Sequence, residues 1–154
     1  MLFRSSINIP DSVTSIGDCA FYNCYSLKNI VLPERIERIG SGAFEYCRSI
    51  KEVHISDIAA WCAIDFEGVY ANPLYFGATL YLNGELVTSL EIPDSVTSIG
   101  DYAFIGCGSL ESITFQGSMK QWKAIDKESS WNYDTGSFTI TCTDGVLDKY
   151  DNQI

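Results

Sequence analysis

Apolar positions along the chain recur with a period of 23 residues. The pairs that coincide after this shift are Ile9 with Leu32, Ile16 with Ile39, Phe21 with Phe44, Cys24 with Cys47, Leu27 with Ile50 and Ile30 with Val53. A third copy lies further on, and residues 92–110 are identical to residues 9–27 at 15 of 19 positions. A unit of this length is too small to bury a core alone, so the period predicts a solenoid of stacked coils.

Within each unit the pattern predicts two short strands. Leu27, Ile30 and Leu32 belong to the first strand with their side chains turned inward, and Pro33 ends its hydrogen bonding because proline has no N–H. Residues 96–99 (VTSI) are rich in β-branched side chains, which predicts a second short strand or an extended corner. Stacked coils of this kind place parallel strands about 4.8 Å apart along one face.

A glycine follows the second strand at the same place in each unit, at positions 17, 40 and 100. A repeated glycine predicts a tight bend with a positive φ angle, which other residues resist. The Ala-Phe pair that comes shortly afterwards predicts a helical turn whose large ring fills the interior of the coil.

Two irregular stretches interrupt the plain repeat, and they resemble each other. The third unit takes 37 residues, an insertion of 14. The segment WCAIDFE at residues 61–67 matches WKAIDKE at residues 122–128, and LYLNGEL at residues 80–86 matches TCTDGVL at residues 141–147. Asn-Gly and Asp-Gly are strong signals for a two-residue hairpin turn, since a type I′ turn needs positive φ at both positions. Each stretch therefore predicts a module made of a short Trp-bearing helix, a loop and a β-hairpin.

The whole pattern predicts one solenoid domain over residues 1–154, mainly β with short helical turns, parallel strands on one face and two inserted modules. Its predicted turns are 4–26, 27–49, 50–86, 87–109 and 110–154. The second module is expected to cover the C-terminal end, because an open end exposes apolar surface and unpaired strand groups. At the other end the pattern starts inside a repeat, with Arg4 where the unit has leucine. We expect either a segment of a longer array or a dimer that covers this end.

The segment IPDSVTSIGDYAFIGCGSLESI, which begins at Ile92, closely resembles the BspA-like leucine-rich repeat. The resemblance covers three nearly complete units, and strand, proline, glycine, Ala-Phe and cysteine all keep their spacing. It implies a leucine-rich-repeat solenoid and a surface or secreted protein of bacteria or some protozoa, associated with adhesion and protein binding. This resemblance alone implies an extracellular or cell-surface location. The first ten residues do not add to it, because they lack the basic-then-apolar pattern of a signal peptide.

Composition excludes several classes of protein. The 154 residues are 46% hydrophobic and 13% aromatic, so the chain is globular in spite of a net charge of −10. That acidity disfavours nucleic acid and anionic membranes, which attract clusters of lysine and arginine. No apolar run approaches the roughly 20 residues needed to span a bilayer, so membrane insertion is not expected.

Six cysteines leave a disulfide framework and buried free thiols as alternatives. Cys24, Cys47 and Cys107 occupy one position of the unit, where stacking would place their Cβ atoms about 4.8 Å apart, wider than the roughly 3.8 Å of a disulfide. Buried thiols that act as small apolar fillers fit this spacing better. The remaining three are Cys19, Cys62 and Cys142, the last aligned with Tyr81, and no spacing among the six suggests metal ligation or a cofactor.

Candidate chemistry is sparse, and we expect no enzymatic activity. His54 is the only histidine, and it falls in an outward strand column without a nucleophile or an orienting group beside it. Two carboxylate pairs, Asp65 with Glu67 and Asp126 with Glu128, are suited to acid–base chemistry or to a calcium ion. Each pair recurs beside the same Trp-x-Ala-Ile, which favours a structural or solvated role.

The predicted function is a protein-interaction, adhesin-like module that binds a host or matrix protein through the outward strand columns. Those columns are Asn29, Glu52, Ser89 and Ser112, and beside them Val31, His54, Glu91 and Thr114. A structural spacer without a ligand of its own is the alternative. A third hypothesis is carbohydrate binding, in which exposed rings stack on sugars, the candidates being Trp61, Tyr75, Trp122 and Trp131. Packing of these rings onto the solenoid is the competing interpretation.

Overall fold

Short strands dominate the computed structural model, which describes residues 5–154. The strands in this range are β1 Ser6–Asn8, β2 Ser15–Ile16, β3 Asn29–Val31, β4 Arg38–Ile39, β5 Glu52–Ile55, β6 Asp65–Phe66, β7 Thr79–Leu82, β8 Glu85–Leu86, β9 Ser89–Ile92, β10 Ser98–Ile99, β11 Ser112–Phe115, β12 Asp126–Lys127, β13 Thr139–Cys142 and β14 Gly145–Asp148. The helices are α1 Ile58–Cys62, α2 Met119–Ala124 and a 3-10 turn Val69–Ala71. Arg4, on which the expected start of the first turn rests, lies outside the described residues.

Two principal sheets carry the first strand of each coil. The first sheet has the order β1-β3-β5-β7-β8 and the second has the order β14-β13-β11-β9. Pairing is parallel except at the hairpin partners β8 and β14. The second sheet repeats the first 60 residues later, because Ile30, Val53 and Leu80 stand in one register line and Leu90, Ile113 and Ile140 stand in the other. These side chains are buried, as the solenoid prediction requires.

Two smaller parallel sheets form the second side of the coils. They have the orders β2-β4-β6 and β10-β12, and their strands are two residues long. Ile16, Ile39 and Phe66 stand in register and are buried. The predicted second strand is therefore confirmed, and its inward residue closes the core from the side opposite the principal sheets.

The prediction of a positive φ at the repeated glycine is wrong. Gly17, Gly40 and Gly100 lie outside the positive-φ region, and two of them instead permit close approach of a neighbouring coil. A Cβ on Gly40 would lie 2.6 Å from the backbone nitrogen of Asp18, and a Cβ on Gly100 would overlap the carbonyl oxygen of Ile64. Positive φ occurs two positions later in each unit, at Cys19 (54°), Gly42 (65°) and Tyr102 (59°).

The two hairpins have the same strand register, but the turn glycine of the second is shifted by one position relative to its strands. Asn83 and Gly84 form the first turn with φ of 51° and 83°, which confirms the predicted turn chemistry. In the second hairpin Cys142 pairs with Gly145, so the turn lies at residues 143–144 and the glycine stands in the strand. The loop before β13 is one residue shorter than the loop before β7. The predicted alignment of Cys142 with Tyr81 is therefore wrong, and Cys142 takes the position of Leu82.

The strand columns do not run continuously from the third turn to the fourth. β9 was expected beside β5, but β7 takes that place and β8 covers the other edge of β7, so β9 begins a new sheet. Helix α1 packs against β9 at the junction. Residues 5–154 therefore form two stacks, the first from β1 to β8 and the second from β9 to β14, each ended by a hairpin.

Candidate functional site

The predicted outward columns are divided between the two sheets. In the first sheet Val31, His54 and Tyr81 stand in register, and Leu86 lies opposite Tyr81. Val31 and Leu86 are exposed, and the His54 ring stacks on Tyr81 with centroids 4.9 Å apart. His54 Nε2 lies 2.8 Å from a carboxylate oxygen of Glu52. We call the residues Val31, His54, Tyr81 and Leu86 the strand-face row.

The second sheet presents a more polar face. Glu91 and Thr114 stand in register there, with Thr141 beyond them. The predicted neighbours of His54 and Glu52 were Glu91 and Ser89, but the structure places Tyr81 and Thr79 there because β7 follows β5. Among the predicted binding positions, Val31, Ser89, Glu91 and Thr114 are exposed, and Asn29, Glu52, His54 and Ser112 are half-buried.

The tryptophans named for carbohydrate stacking lie in the core. Trp61, Trp122 and Trp131 are 1%, 0% and 5% exposed. Trp122 packs edge-on against Phe115 at 5.3 Å and against Trp131 at 5.9 Å. The prediction that these three rings make exposed contacts is wrong. Helices α1 and α2 turn Trp61 and Trp122 inward, and Trp131 packs against Phe104 and Phe138. Tyr75 alone of the four named rings is exposed.

A continuous group of aromatic side chains covers one turn region of the first stack. We call it the aromatic ridge, and it consists of Tyr22, Tyr46, Arg48, Tyr70, Tyr75 and Phe76. Its four tyrosines are 36% to 50% exposed. Two edge-to-face pairs frame the ridge, one between Tyr22 and Tyr46 at 5.5 Å and one between Tyr70 and Tyr75 at 4.9 Å. Phe76 contacts both Tyr70 and Tyr75, and the Arg48 guanidinium connects it to the first pair, 5.8 Å from the Tyr46 ring and 5.3 Å from the Phe76 ring.

Two phenols of the ridge, those of Tyr22 and Tyr70, have raised pKa values and stay neutral at physiological pH. The hydrogen bond to Tyr75 raises the pKa of Tyr70 above its ordinary value, and desolvation raises the pKa of Tyr22. The sequence analysis did not single out Tyr22, Tyr46 or Arg48. The sequence signal that could have found them is the difference between the stacks at the variable positions after the Ala-Phe pair. The first stack has tyrosines and an arginine there, whereas the second stack has the buried Ile105 and a glycine.

The junction between the stacks depends on hydrogen bonds from the first module. Trp61 Nε1 donates to the carbonyl of Ala103 at 3.0 Å. The buried Asn72 donates through Nδ2 to the carbonyl of Tyr102 at 2.9 Å and accepts from the Leu74 N–H at 2.9 Å. Sequence reasoning missed Asn72, since a single Asn-Pro in a loop does not reveal which carbonyl it will meet. These bonds hold the second stack at a defined position on the first.

The repeated carboxylates have a structural partner in the first stack. Arg38 donates from Nε to Glu67 at 2.6 Å and makes a second bond to the same carboxylate. This hydrogen bonding holds the pKa of Glu67 below its ordinary value and raises the pKa of Arg38. Among residues 5–154, no group of three or more His, Cys, Asp or Glu side chains has a geometry that could hold a metal ion.

The cysteines are free thiols, several of them in the core. Burial raises the pKa of Cys62 and of Cys107 to about 12, and that of Cys47 to about 11. Such thiols are protonated at physiological pH, so these three are poor nucleophiles. Cys24, aligned with Cys47 and Cys107, is only half-buried.

Six copies of the BspA type leucine rich repeat region match the chain, over residues 3–62 and 75–139, which together are well over half of its length. The chain belongs to the BspA-type leucine-rich repeat family. Proteins with repeats of this type are generally surface or protein-interaction proteins and are typically non-enzymatic. Among curated proteins, none is significantly similar to this BspA-type chain. Across residues 5–154, no helix is both long enough and apolar enough to cross a bilayer.

Several solved structures resemble this BspA-type chain. A leucine-rich repeat protein from Bacteroides ovatus is 30% identical over 74% of this chain and 27% of its own, with a TM-score of 0.41. A leucine rich cell surface protein from Faecalibacterium prausnitzii is 24% identical over 82% of this chain and 36% of its own, with a TM-score of 0.43. The T. pallidum leucine rich repeat protein is 23% identical over 73% and 59%, with a TM-score of 0.38. The chain spans less than two thirds of each of these proteins.

Proposed function

We propose that this chain is a non-enzymatic, adhesin-like protein-interaction module of a cell-surface or secreted protein, and that the aromatic ridge is its principal contact surface. The observation that carries the proposal is the exposure of four tyrosines in continuous contact around Arg48. Tyrosine and arginine are enriched among the residues that dominate binding energy at protein interfaces.

The ridge is not needed to complete the solenoid. The second stack follows the same coil plan with Ile105 buried and Gly106 and Gly108 at the matching turn, and it lacks a comparable group of tyrosines. Large exposed aromatic side chains that the fold does not require are typical of interaction sites. Ring-to-ring packing also restricts the tyrosine rotamers before binding, which lowers the entropic cost of ordering these side chains in a complex.

The strand-face row is a second candidate contact surface, on the first sheet. Val31 and Leu86 offer exposed apolar side chains, and the stacked His54 and Tyr81 lie between them in the register. The predicted contact positions on the second sheet, Ser89, Glu91, Ser112 and Thr114, are polar and remain predictions. Charged and small polar side chains of this kind suit the rim of an interface better than its centre.

The experiment compares binding to two arrays, one of plasma and extracellular-matrix proteins and one of glycans. We expect saturable binding to at least one protein, and we expect the double variant Tyr22→Ser, Tyr46→Ser to weaken it by about 30-fold, the loss of one strong hot spot of about 2 kcal/mol. Tyr133→Ser is the matched control, since Tyr133 is 61% exposed and lies outside the ridge. Unfolding midpoints of all variants should match the parent chain.

Other outcomes separate the alternatives. Binding to glycans alone, lost in a Tyr75→Ala variant, would replace the proposal with carbohydrate recognition. A chain that binds neither array would be a spacer, and equal losses in the ridge and control variants would remove the ridge from the interface.

Self-association through the N-terminal end stays a prediction. In the described residues β1 pairs with β3 on one side, so its other edge offers backbone groups to a further strand. Sedimentation-equilibrium measurements over a wide range of protein concentration test this, and a monomer at every concentration would contradict it.

A further inference from the structure

The first stack contains an arginine held among carboxylates of neighbouring coils. Arg38 makes two hydrogen bonds to Glu67 and one to Asp18 at 3.4 Å. Asp65 stands next to Arg38 in the strand register, and its charge adds to the stabilisation of the guanidinium. Three carboxylates from the two adjacent coils therefore surround one arginine side chain.

The second stack repeats two of these three carboxylates but lacks the arginine. Ser98 pairs with Asp126 in β10 and β12, as Arg38 pairs with Asp65 in β4 and β6. The correspondences in the repeat are Asp65 with Asp126, Glu67 with Glu128 and Arg38 with Ser98. Asp101 stands at the place of Ser41, in the same coil as Ser98, and is an additional carboxylate there. The anionic half of the arrangement has been kept and its cation replaced by a short hydroxyl side chain.

Ser98, the residue at the arginine position, lines a cavity. Its volume is about 300 Å³, and its lining includes Ser98, Asp101, Asp126, Glu128 and also Asp65 from the first stack. No lysine or arginine of the described residues lines it.

The nearest basic residue in the sequence is directed elsewhere. Lys127 forms an ion pair with Asp151 at 3.2 Å, donates to the Trp122 carbonyl at 3.2 Å, and its side chain is only 9% exposed. Within the cavity, one oxygen of Asp101 accepts the backbone N–H of Tyr102 at 3.1 Å. Asp126 and Glu128 form no ion pair with a basic side chain among residues 5–154.

Two observations together identify the ligand chemistry. The cavity supplies carboxylates around an open volume, and the equivalent carboxylates in the same chain already bind a guanidinium. The carboxylates are not placed to converge on a metal ion. A planar guanidinium can instead donate to several carboxylates at once, as Arg38 does in the first stack.

We propose that this cavity, the acidic junction cavity, binds an arginine side chain of a partner protein in place of the arginine that the second stack lacks. The site is separate from the aromatic ridge, so its existence does not depend on the function proposed above. If both sites bind the same partner, that partner would present an exposed arginine to the acidic junction cavity in addition to its contacts with the aromatic ridge.

The direct test titrates the chain with L-argininamide and, in parallel, with L-citrullinamide, which has the same α-amino group but a neutral side chain of similar shape, and follows the backbone amide resonances by NMR. At low salt we expect argininamide to shift the Ser98, Asp101 and Asp126 signals saturably, with an affinity at least about tenfold above that of citrullinamide, since a charge-assisted hydrogen bond contributes at this scale. Equal effects of the two compounds, or no effect of either, would overturn the proposal. Equal saturable shifts with calcium chloride would also overturn it, because the cavity would then be a general cation site.

Reciprocal variants provide the matched controls. Ser98→Arg supplies the missing side chain and should abolish argininamide binding, whereas Arg38→Ser should create a second site at Asp18 and Glu67. The double variant Asp126→Asn, Glu128→Gln keeps the side-chain shapes and should lower the affinity at least about tenfold. Retained binding in the Ser98→Arg or the double variant, or no second site in Arg38→Ser, contradicts the equivalence on which the proposal rests. The ridge variants should bind argininamide as the parent chain does.

Discussion

Three glycines occupy the same position of the repeat but meet different surroundings, and this difference predicts opposite effects of one substitution. None of the three has a positive φ, so alanine fits the backbone conformation of each. At Gly17 an added Cβ meets no atom within 4 Å. The Gly17→Ala variant should therefore gain about 0.4–1 kcal/mol in unfolding free energy, because alanine restricts the unfolded chain.

Gly100→Ala should lose stability. An added Cβ would overlap the Ile64 carbonyl oxygen, well inside the roughly 3.3 Å at which carbon and oxygen atoms come into contact. Relief requires the backbone of the junction to move, at a cost of about 1–3 kcal/mol for an overpacked site. That movement also lengthens the hydrogen bond from the Gly100 N–H to the Cys62 carbonyl, now 2.9 Å, which adds about 1 kcal/mol. We expect a net loss of about 2–3 kcal/mol after the entropic gain of alanine is subtracted.

The assay is urea unfolding monitored by far-UV circular dichroism, with the three variants Gly17→Ala, Gly40→Ala and Gly100→Ala fitted with a common slope. Gly40→Ala should fall on the destabilised side, since its Cβ would lie 2.6 Å from the Asp18 backbone nitrogen. Gly100→Ala as stable as Gly17→Ala, within about 0.5 kcal/mol, would refute the argument that close approach of the coils selects glycine.

Three further predictions concern the junction, an ion pair and a thiol. Trp61→Phe removes the hydrogen bond to Ala103 and some core volume, so the unfolding free energy should fall by about 1–3 kcal/mol in urea titrations, and an unchanged midpoint would contradict this. Arg38 lowers the pKa of Glu67, so the parent chain should exceed Glu67→Gln in stability above the ordinary value of 4.5, and the difference should vanish as pH falls through the lower folded value. A difference in melting temperature that stays constant across the acid range would show that the carboxylate charge is not involved. The Cys107 thiol, with a pKa raised to about 12, should resist a disulfide reagent at pH about 8 in the folded protein and react when urea is added.

The coil itself could be predicted from the sequence because its determinants are local and repeated. The spacing of Ile30, Val53 and Ile113 requires equivalent strands, and the buried register confirms it. The break between the sheets is different in kind. Asn83 and Gly84 predict a hairpin, but the pattern does not show that a two-residue β8 would occupy the free edge of β7.

Tertiary contacts explain what the sequence left undetermined at the candidate sites. The sequence does not determine whether the Trp61 ring is exposed or buried, because its environment depends on how α1 packs against β9. The aromatic ridge joins residues from three turns, and only the fold shows that Tyr22, Arg48 and Tyr75 share one surface. The sequence pattern does not single out Ser98, because its importance is visible only when the structure places it at the position that Arg38 occupies in the first stack.

The terminating hairpins also bear on how a chain of near-copies folds correctly. Coils that are identical at 15 of 19 positions can exchange places in a folding intermediate, because each offers nearly the same pairing surface to a third strand. An antiparallel β8 blocks one such error, since a strand of the second stack that arrives at β7 finds the edge already taken. Partners within each stack lie fewer than 30 residues apart along the chain, so each sheet can nucleate separately before the stacks dock. The hairpins thus act as kinetic boundaries that confine mispairing to one half of the molecule.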